Sequence, residues 1–299
     1  MKSGAFRQGT KFMNMQPDRK SLRWRKIPKD QFYRAEAFLR NRERFCVSAS
    51  ARFLRIRENG GHVWHLSGSN GEISALLLHS NRSLFPVFNN NQHIPGPRFL
   101  SRFLGKVHIH ALQGLREDTQ LLEQLMEKQG YYAAERIDYD LMSSDIMPGP
   151  KAFAAGPKGL IIRAPNDRDV DELIALQAAY EKEEVVPQNG VFDPDVSRLN
   201  LKHILSTEYV LLAELGGRIV GKINTSAESF TRHQIGGVYV RPDCRGLGIA
   251  LRMTSIFTEG ILARGKGITL FVKKRNAAAR AVYQKAGFKI LAEYRICYY

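Results

Sequence analysis

The sequence predicts an α/β protein built from two similar units, each a mixed, mainly antiparallel sheet flanked by helices. Three observations carry that expectation. Residues 236–250 read as a strand, a glycine turn and a helix. A helix, a strand meander and a strand–helix–strand follow one another in both halves of the 299 residues. Glu127-Lys-Gln-Gly-Tyr-Tyr132 also matches Gln284-Lys-Ala-Gly-Phe-Lys289 at an offset of 157 residues, which points to duplication.

Taken in order, residues 1–28 have few apolar anchors and many Lys, Arg, Ser and Gln, and predict a flexible basic arm with Trp24 as the one exception. Phe32, Ala35, Phe38 and Leu39 form a helical stripe within residues 29–44. Strand patterns follow at residues 62–66, 72–78 and 83–88, with turn residues Ser69-Asn-Gly71 and His79-Ser-Asn-Arg82 between them. A strand over 106–112, a helix over 117–129 and a strand over 131–142 close this first unit, residues 29–145. Ser143 to Pro157 is rich in Pro and Gly, with the linker placed at 146–157.

The second unit, 158–299, opens with a strand at 159–163. Asn166 or Asp167 is placed to cap the next helix, which runs to Tyr180. A second helix spans 193–205. Strands at 209–214, 218–224 and 233–240 form an antiparallel meander, with Gly216-Gly217 as a hairpin turn. Pro242 ends the last of these strands, because proline lacks a backbone donor. A helix over 251–263, a strand over 268–272 and a helix leading to Gly287 follow.

Composition limits the function. The formal charge is +16, and residues 1–57 contribute most of it, with 16 Lys/Arg against four Asp/Glu. Such a segment suits nucleic acid or acidic partners, and equally a solvated tail. No apolar run approaches the roughly 18 residues of a membrane span. Cys46, Cys244 and Cys297 lack metal or disulfide spacing, so no metal is expected and a reduced, cytoplasmic setting is.

The chemistry concentrates in residues 238–250. Val238-Tyr239-Val240 is a buried-strand pattern. Arg245, Gly246, Leu247, Gly248, Ile249 and Ala250 then lead into a helix, a layout that turns free backbone N–H groups towards an anion. This is neither the dinucleotide fingerprint, whose third glycine is missing, nor a Walker loop, which needs Gly-Lys-Ser/Thr. Arg245, Gly248 and Ala250 do resemble the (Arg/Gln)-x-x-Gly-x-(Gly/Ala) loop of the GNAT N-acetyltransferase superfamily. Asn276, Ala279, Tyr283, Gly287 and Phe288 resemble its second segment, Asn-x-x-Ala-x-x-x-Tyr-x-x-x-Gly-Phe, at the family's spacing. The resemblance covers residues 158–299 and is closest to bacterial tandem-GNAT proteins, whose first copy is divergent.

That resemblance implies a splayed strand pair holding acetyl-CoA, with Val238–Val240 pairing with the pantetheine arm and residues 245–250 gripping the pyrophosphate. It implies Tyr283 as the general acid that protonates the departing thiolate, a task suited to a phenol whose ordinary pKa is about 10. Asn276 is expected to cap its helix and touch the pantetheine. The glutamate base of many relatives is replaced here by Gln234, which leaves His233 as the ionisable neighbour. Glu181, Glu183 and Glu184 are candidates to line the acceptor entrance, Glu183 and Glu184 as contacts to a cationic amine. Lys273-Lys-Arg275 is placed either to meet the coenzyme's 3′-phosphate or on the surface.

The first unit carries neither motif. Residues 89–97 contain no Gly-x-Gly, and Met126 occupies the place of Tyr283. The expected activity is acetyl-CoA-dependent acetylation of a primary amine, on a small molecule or a peptide, by direct transfer in a ternary complex. The alternatives are a non-catalytic acyl-CoA sensor or scaffold, a transferase of a longer acyl group, and a nucleic-acid-associated protein acting through residues 1–57. Acceptor identity and oligomeric state carry no signal.

Overall fold

The computed structural model describes residues 23–67, 71–89, 95–186 and 190–299. Residues 1–22 of the expected arm, most of the turn at 69–71 and residues 90–94 of the stripped loop lie outside them. The first half runs β1 (Arg25–Lys26), α1 (Phe32–Arg40), α2 (Val47–Asn59), β2 (His62–Ser67), β3 (Ile73–Ser80), β4 (Ser83–Phe88), α3 (Pro97–Leu104), β5 (Ala111–Leu115), α4 (Arg116–Glu127) and β6 (Glu135–Ser144). The connecting stretch holds a short helix, α5 (Pro150–Phe153). The second half runs β7 (Ile161–Arg163), α6 (Val170–Tyr180), α7 (Pro194–Thr207), β8 (Val210–Leu215), β9 (Arg218–Glu228), β10 (Arg232–Val240), α8 (Ile249–Leu262), β11 (Gly267–Lys273), α9 (Ala277–Lys285) and β12 (Lys289–Tyr298).

Local signals explain most elements. Asn166 makes a capping box with Asp169 ahead of α6, and Asp193 accepts from the N–H groups of Asp195 and Val196 to start α7. Gly216 and Gly217 both take positive φ in the β8–β9 hairpin. Three parts of the first half differ from expectation. Residues 23–28 are built into the fold: β1 pairs with β2, Ile27 is buried, and Trp24 stacks on Phe99. The strand expected at 106–112 starts at Ala111, because Val107 and Ile109 instead close the core beneath α3 and α4. Helix α2 has no counterpart in the expected element list.

The two sheets are fused edge to edge. The twelve strands of the described residues form one sheet in the order β1-β2-β3-β4-β5-β12-β6-β11-β10-β9-β8-β7. Each half lends its last strand to the other. β6 of the first half lies between β11 and β12, and β12 of the second lies between β5 and β6. The exchange leaves no free edge at the junction. The expected linker at 146–157 therefore separates two stretches of sequence without separating two sheets.

Side-chain contacts lock the same junction. Glu43, buried in the first half, accepts from the backbone N–H and hydroxyl of Thr231 at 2.7 and 2.5 Å and from the Ser229 hydroxyl. Arg295 on β12 forks onto Asp138 on β6 at 2.7 and 3.0 Å, a bidentate pair. No helix among the described residues is long and apolar enough to cross a membrane.

Candidate functional site

The site begins where two parallel strands part. β10 and β11 pair only from Arg232↔Gly267 to Ile235↔Leu270, and beyond Ile235 they diverge. A bulge helps to open the wedge. The β9–β10 register jumps between Gly236↔Asn224 and Tyr239↔Lys222, and Gly237 sits at φ +58°. A Cβ there would fall 2.1 Å from Asn224 Oδ1 and 2.8 Å from Lys222 Nζ, so only glycine fits.

Polar groups hold the bulge from beneath. The Gly237 N–H donates to Tyr180 Oη at 3.2 Å. Lys222 Nζ donates to Gly237 O at 3.2 Å and to Asn224 Oδ1 at 2.9 Å, and lies 4.9 Å from the centre of the Tyr180 ring. Lys222 is fully buried, and desolvation pulls its pKa down to about 7 against the opposing charge of Glu181.

At the C-terminal end of β10 the chain forms the anion loop. Gly246 and Gly248 take φ +80° and +82°, and α8 starts with no side-chain cap, so the N–H groups of its first turn remain open. Gly248 also lies against the connecting stretch, where a Cβ would come 2.9 Å from Gly156 N. Arg245 donates to Val240 O at 3.0 Å and to Glu183 at 2.8 Å, and its guanidinium lies over the Tyr239 ring. Ile249 is buried in the core and Leu247 is exposed.

A cavity of about 500 Å³ occupies the wedge. Gly236, Gly237 and Val238 line it from β10, and Leu270 to Lys273 from β11. Tyr283 and Asn276 line it from α9 and its cap. The Tyr283 ring is buried edge-on to Phe288, and burial lifts its hydroxyl well above the usual phenol range, with Tyr180 and Glu184 adding to the shift. The phenol therefore keeps its proton at neutral pH. Asn276 caps α9 by accepting from Ala279 N–H at 3.0 Å, and its amide donates to Glu184 at 3.1 Å.

Other expectations change. His233 is absent from the cavity lining, whereas Gln234 is present. Alternate residues of a strand face opposite ways, and the His233 imidazole instead lies 3.6 Å from Glu228 on β9. Burial lowers its pKa further. Gln234 is held in place, accepting from the Ser48 hydroxyl at 2.8 Å and donating to Ser226 at 3.1 Å.

Glu183 and Glu184 each pair with a cation: Glu183 with Arg245 and Glu184 with Lys273, at 2.8 and 3.1 Å. The Arg245 guanidinium holds the Glu183 carboxyl below its usual range. Lys273 is thus turned inward, while Lys274 pairs outward with Glu293.

Sequence reasoning missed several lining residues. A π-helical turn at Glu181–Val185 continues α6, and its wide geometry brings Glu181 and Glu184 to the cavity. Glu181 is buried and accepts from Gln177 and Asn200 at 2.8 and 3.1 Å. Glu208 lines the cavity and accepts from the Thr225 hydroxyl. Arg52, Arg55 and Tyr139 reach it from the first half. Of these, Glu181 and Glu184 are the ones the sequence singles out, as part of the acidic run after α6; Glu208, Arg52, Arg55 and Tyr139 carried no signal. Among the described residues no cluster of His, Cys, Asp and Glu is placed to hold a metal ion.

Solved structures share this fold over nearly the whole chain. A GCN5-related N-acetyltransferase from Sphaerobacter thermophilus superposes with a TM-score of 0.56 at 20% identity, covering 92% of this chain and 94% of that one. A GNAT-family acetyltransferase from Colwellia psychrerythraea gives 0.54 at 9% identity, covering 93% and 100%. A tandem GNAT protein from the clavulanic acid biosynthesis pathway gives 0.55 at 10% identity, covering 92% and 97%. No curated protein matches the sequence. The acetyltransferase (GNAT) family model matches residues 174–288, a span that contains the splayed strands, the anion loop and Tyr283. Over that span the chain is similar to the GNAT acetyltransferase family.

Proposed function

We propose that the protein transfers an acetyl group from acetyl-CoA to a primary amine by direct attack in a ternary complex. The observation that carries this reading is the open wedge between β10 and β11, continuous with an uncapped, glycine-lined helix start. The pantetheine arm would add to the free edge of β10 at residues 236–240, as an extended peptide adds to a sheet. Arg245 and the N–H groups of residues 246–250 would take the pyrophosphate. Since Glu183 already pairs with Arg245, coenzyme binding would release that carboxylate.

In the transfer step the neutral amine nitrogen attacks the thioester carbonyl. The C–N bond forms, the C–S bond breaks, Tyr283 gives its proton to the departing sulfur, and the extra proton on the acylated nitrogen is lost to solvent, from which the Tyr283 phenol is restored. The amine must first lose its own proton. Neither Gln234 nor His233 suits that task; the carboxylates lining the cavity are Glu181, Glu184 and Glu208, of which Glu184 is paired with Lys273.

Calorimetric titration with acetyl-CoA tests the reading. Wild-type protein should bind with micromolar affinity and Arg245→Ala should bind at least about tenfold more weakly, a loss of roughly 1.4 kcal/mol. Absence of binding by the wild type would refute it. Binding without release of free thiol from any amine would instead favour a sensor, a reading that the immobilised Gln234 keeps open.

A further inference from the structure

We propose that the acceptor is a primary amine that also carries an anionic group, with the anion held by Arg52 and Arg55 of the first half. This rests on the acetyltransferase reading and narrows its substrate class.

Three observations lead there. First, Ser48, Arg52 and Arg55 stand at i, i+4 and i+7 on α2, and so share one helical face. Ser48 fixes that face to β10 through Gln234 at 2.8 Å. Both arginines line the same cavity as Tyr283 and the β10 bulge.

Second, neither arginine has a carboxylate partner among the described residues. Several other partly buried arginines do, though Arg42 and Arg252 do not: Arg163 holds Asp169, Arg232 holds Asp145 and Arg295 holds Asp138, all within 2.8 Å. Arg52 and Arg55 instead lie near each other. Burial, and then the charge of Arg55, lowers the pKa of Arg52. Two uncompensated like charges in a partly desolvated site are unfavourable, and a bidentate anion relieves the repulsion.

Third, Glu181 and Glu208 line the cavity, and among the described residues neither forms an ion pair, although the charge of Glu181 acts on buried Lys222. Apart from the Glu184–Lys273 pair, the carboxylates of the cavity thus stand away from its two arginines. That is the complement of a molecule with an ammonium at one end and a carboxylate or phosphate at the other. A polyamine would set its second cation against the arginines.

Matched pairs test the idea: lysine against cadaverine, ornithine against putrescine, and glucosamine 6-phosphate against glucosamine. The readout is free thiol released from acetyl-CoA. The anionic member of at least one pair should show a kcat/KM about tenfold or more above its partner. The amino-acid pairs and the sugar pair distinguish carboxylate from phosphate. Arg52→Gln and Arg55→Gln should erase that preference by raising KM for the anionic member, while the acetyl-CoA dissociation constant stays within about twofold. Arg52→Lys, which keeps the charge and loses the fork, should fall between.

Equal turnover of the paired amines, preference for the member that lacks the anionic group, or no turnover of any pair by a protein that binds acetyl-CoA would overturn the proposal. Weaker acetyl-CoA binding in Arg52→Gln would also overturn it, by assigning the arginines to the coenzyme. Failure of the wild type to bind acetyl-CoA would instead refute the reading beneath it.

Discussion

The two halves contain the same splayed pair of strands, and only one is open. In the first half β4 and β5 pair in parallel at Ser83↔Ala111 and Leu84↔Leu112 and then part, as β10 and β11 do. Their wedge is filled. Pro86 removes a donor from the β4 edge. The next available donor, Phe88 N–H, is taken by the carboxylate of Asp118 at 3.1 Å. Cys46, Ala49 and Tyr294 close around a residual space of about 10 Å³, against about 500 Å³ in the second half. Met126, in the place of Tyr283, is buried and receives the Tyr299 hydroxyl at 3.7 Å. The topology supplies the wedge. A proline, a capping carboxylate and a methionine decide that one copy is a buttress.

Three changes would break or sharpen that contrast. The largest effect is expected from Tyr283→Phe. Turnover should fall about a hundredfold or more if the phenol is the acid, with acetyl-CoA affinity retained. Steady-state kinetics beside calorimetry would check this, and unchanged turnover would remove Tyr283 from the mechanism.

A smaller effect should follow from placing one methyl group in each wedge. Gly237→Ala drives a Cβ into Asn224 and Lys222 and should weaken acetyl-CoA binding about tenfold, near 1.4 kcal/mol. Gly114→Ala meets Pro86 O at 3.1 Å, a contact that small shifts can absorb, and should leave coenzyme binding unchanged. Equal losses in both would mean that the wedges are not functionally distinct.

The smallest effect concerns the plug. Burial pushes the Asp118 carboxyl up to about 7, with the Phe88 N–H acting in the opposite direction. Its folded pKa lies above the unfolded value, so its stabilising contribution is present below about pH 4 and is lost as pH rises through 7. Asp118→Asn keeps an acceptor for Phe88 without the charge. It should raise the melting temperature by roughly 2 °C or more at pH 8, with little gain at pH 4. An equal shift at both pH values would show that ionisation of Asp118 is not what matters.

Much of the site was legible because its signals are local. The strand–glycine–helix at 238–250, the Asn276 cap and the position of Tyr283 on α9 each follow from a few adjacent residues. Helix α2 was not legible. Its buried face includes Ala49, Ser50 and Ala51 beside Phe53 and Ile56, and small residues contribute little hydrophobic periodicity. With α2 went Ser48, Arg52 and Arg55. The His233 assignment failed for a different reason: a one-residue change of position on a strand reverses the face, and the bulge that sets the register lies in the pairing with β9.

The sequence alone thus determined the repeated α/β plan, the glycine turn at 245–250 that starts α8 and the lack of a Gly-x-Gly turn in the first half. Each depends on backbone preferences and side-chain types within a short window. The tertiary structure decided that the halves share one sheet, that β6 and β12 change places, and that the first half supplies part of the cavity wall. Those outcomes rest on hydrogen-bond ladders between segments about 150 residues apart, such as Asp138 opposite Arg295. A strand's sequence states that it will pair and which face it buries. Which edge it joins depends on the free edges that the rest of the fold leaves open.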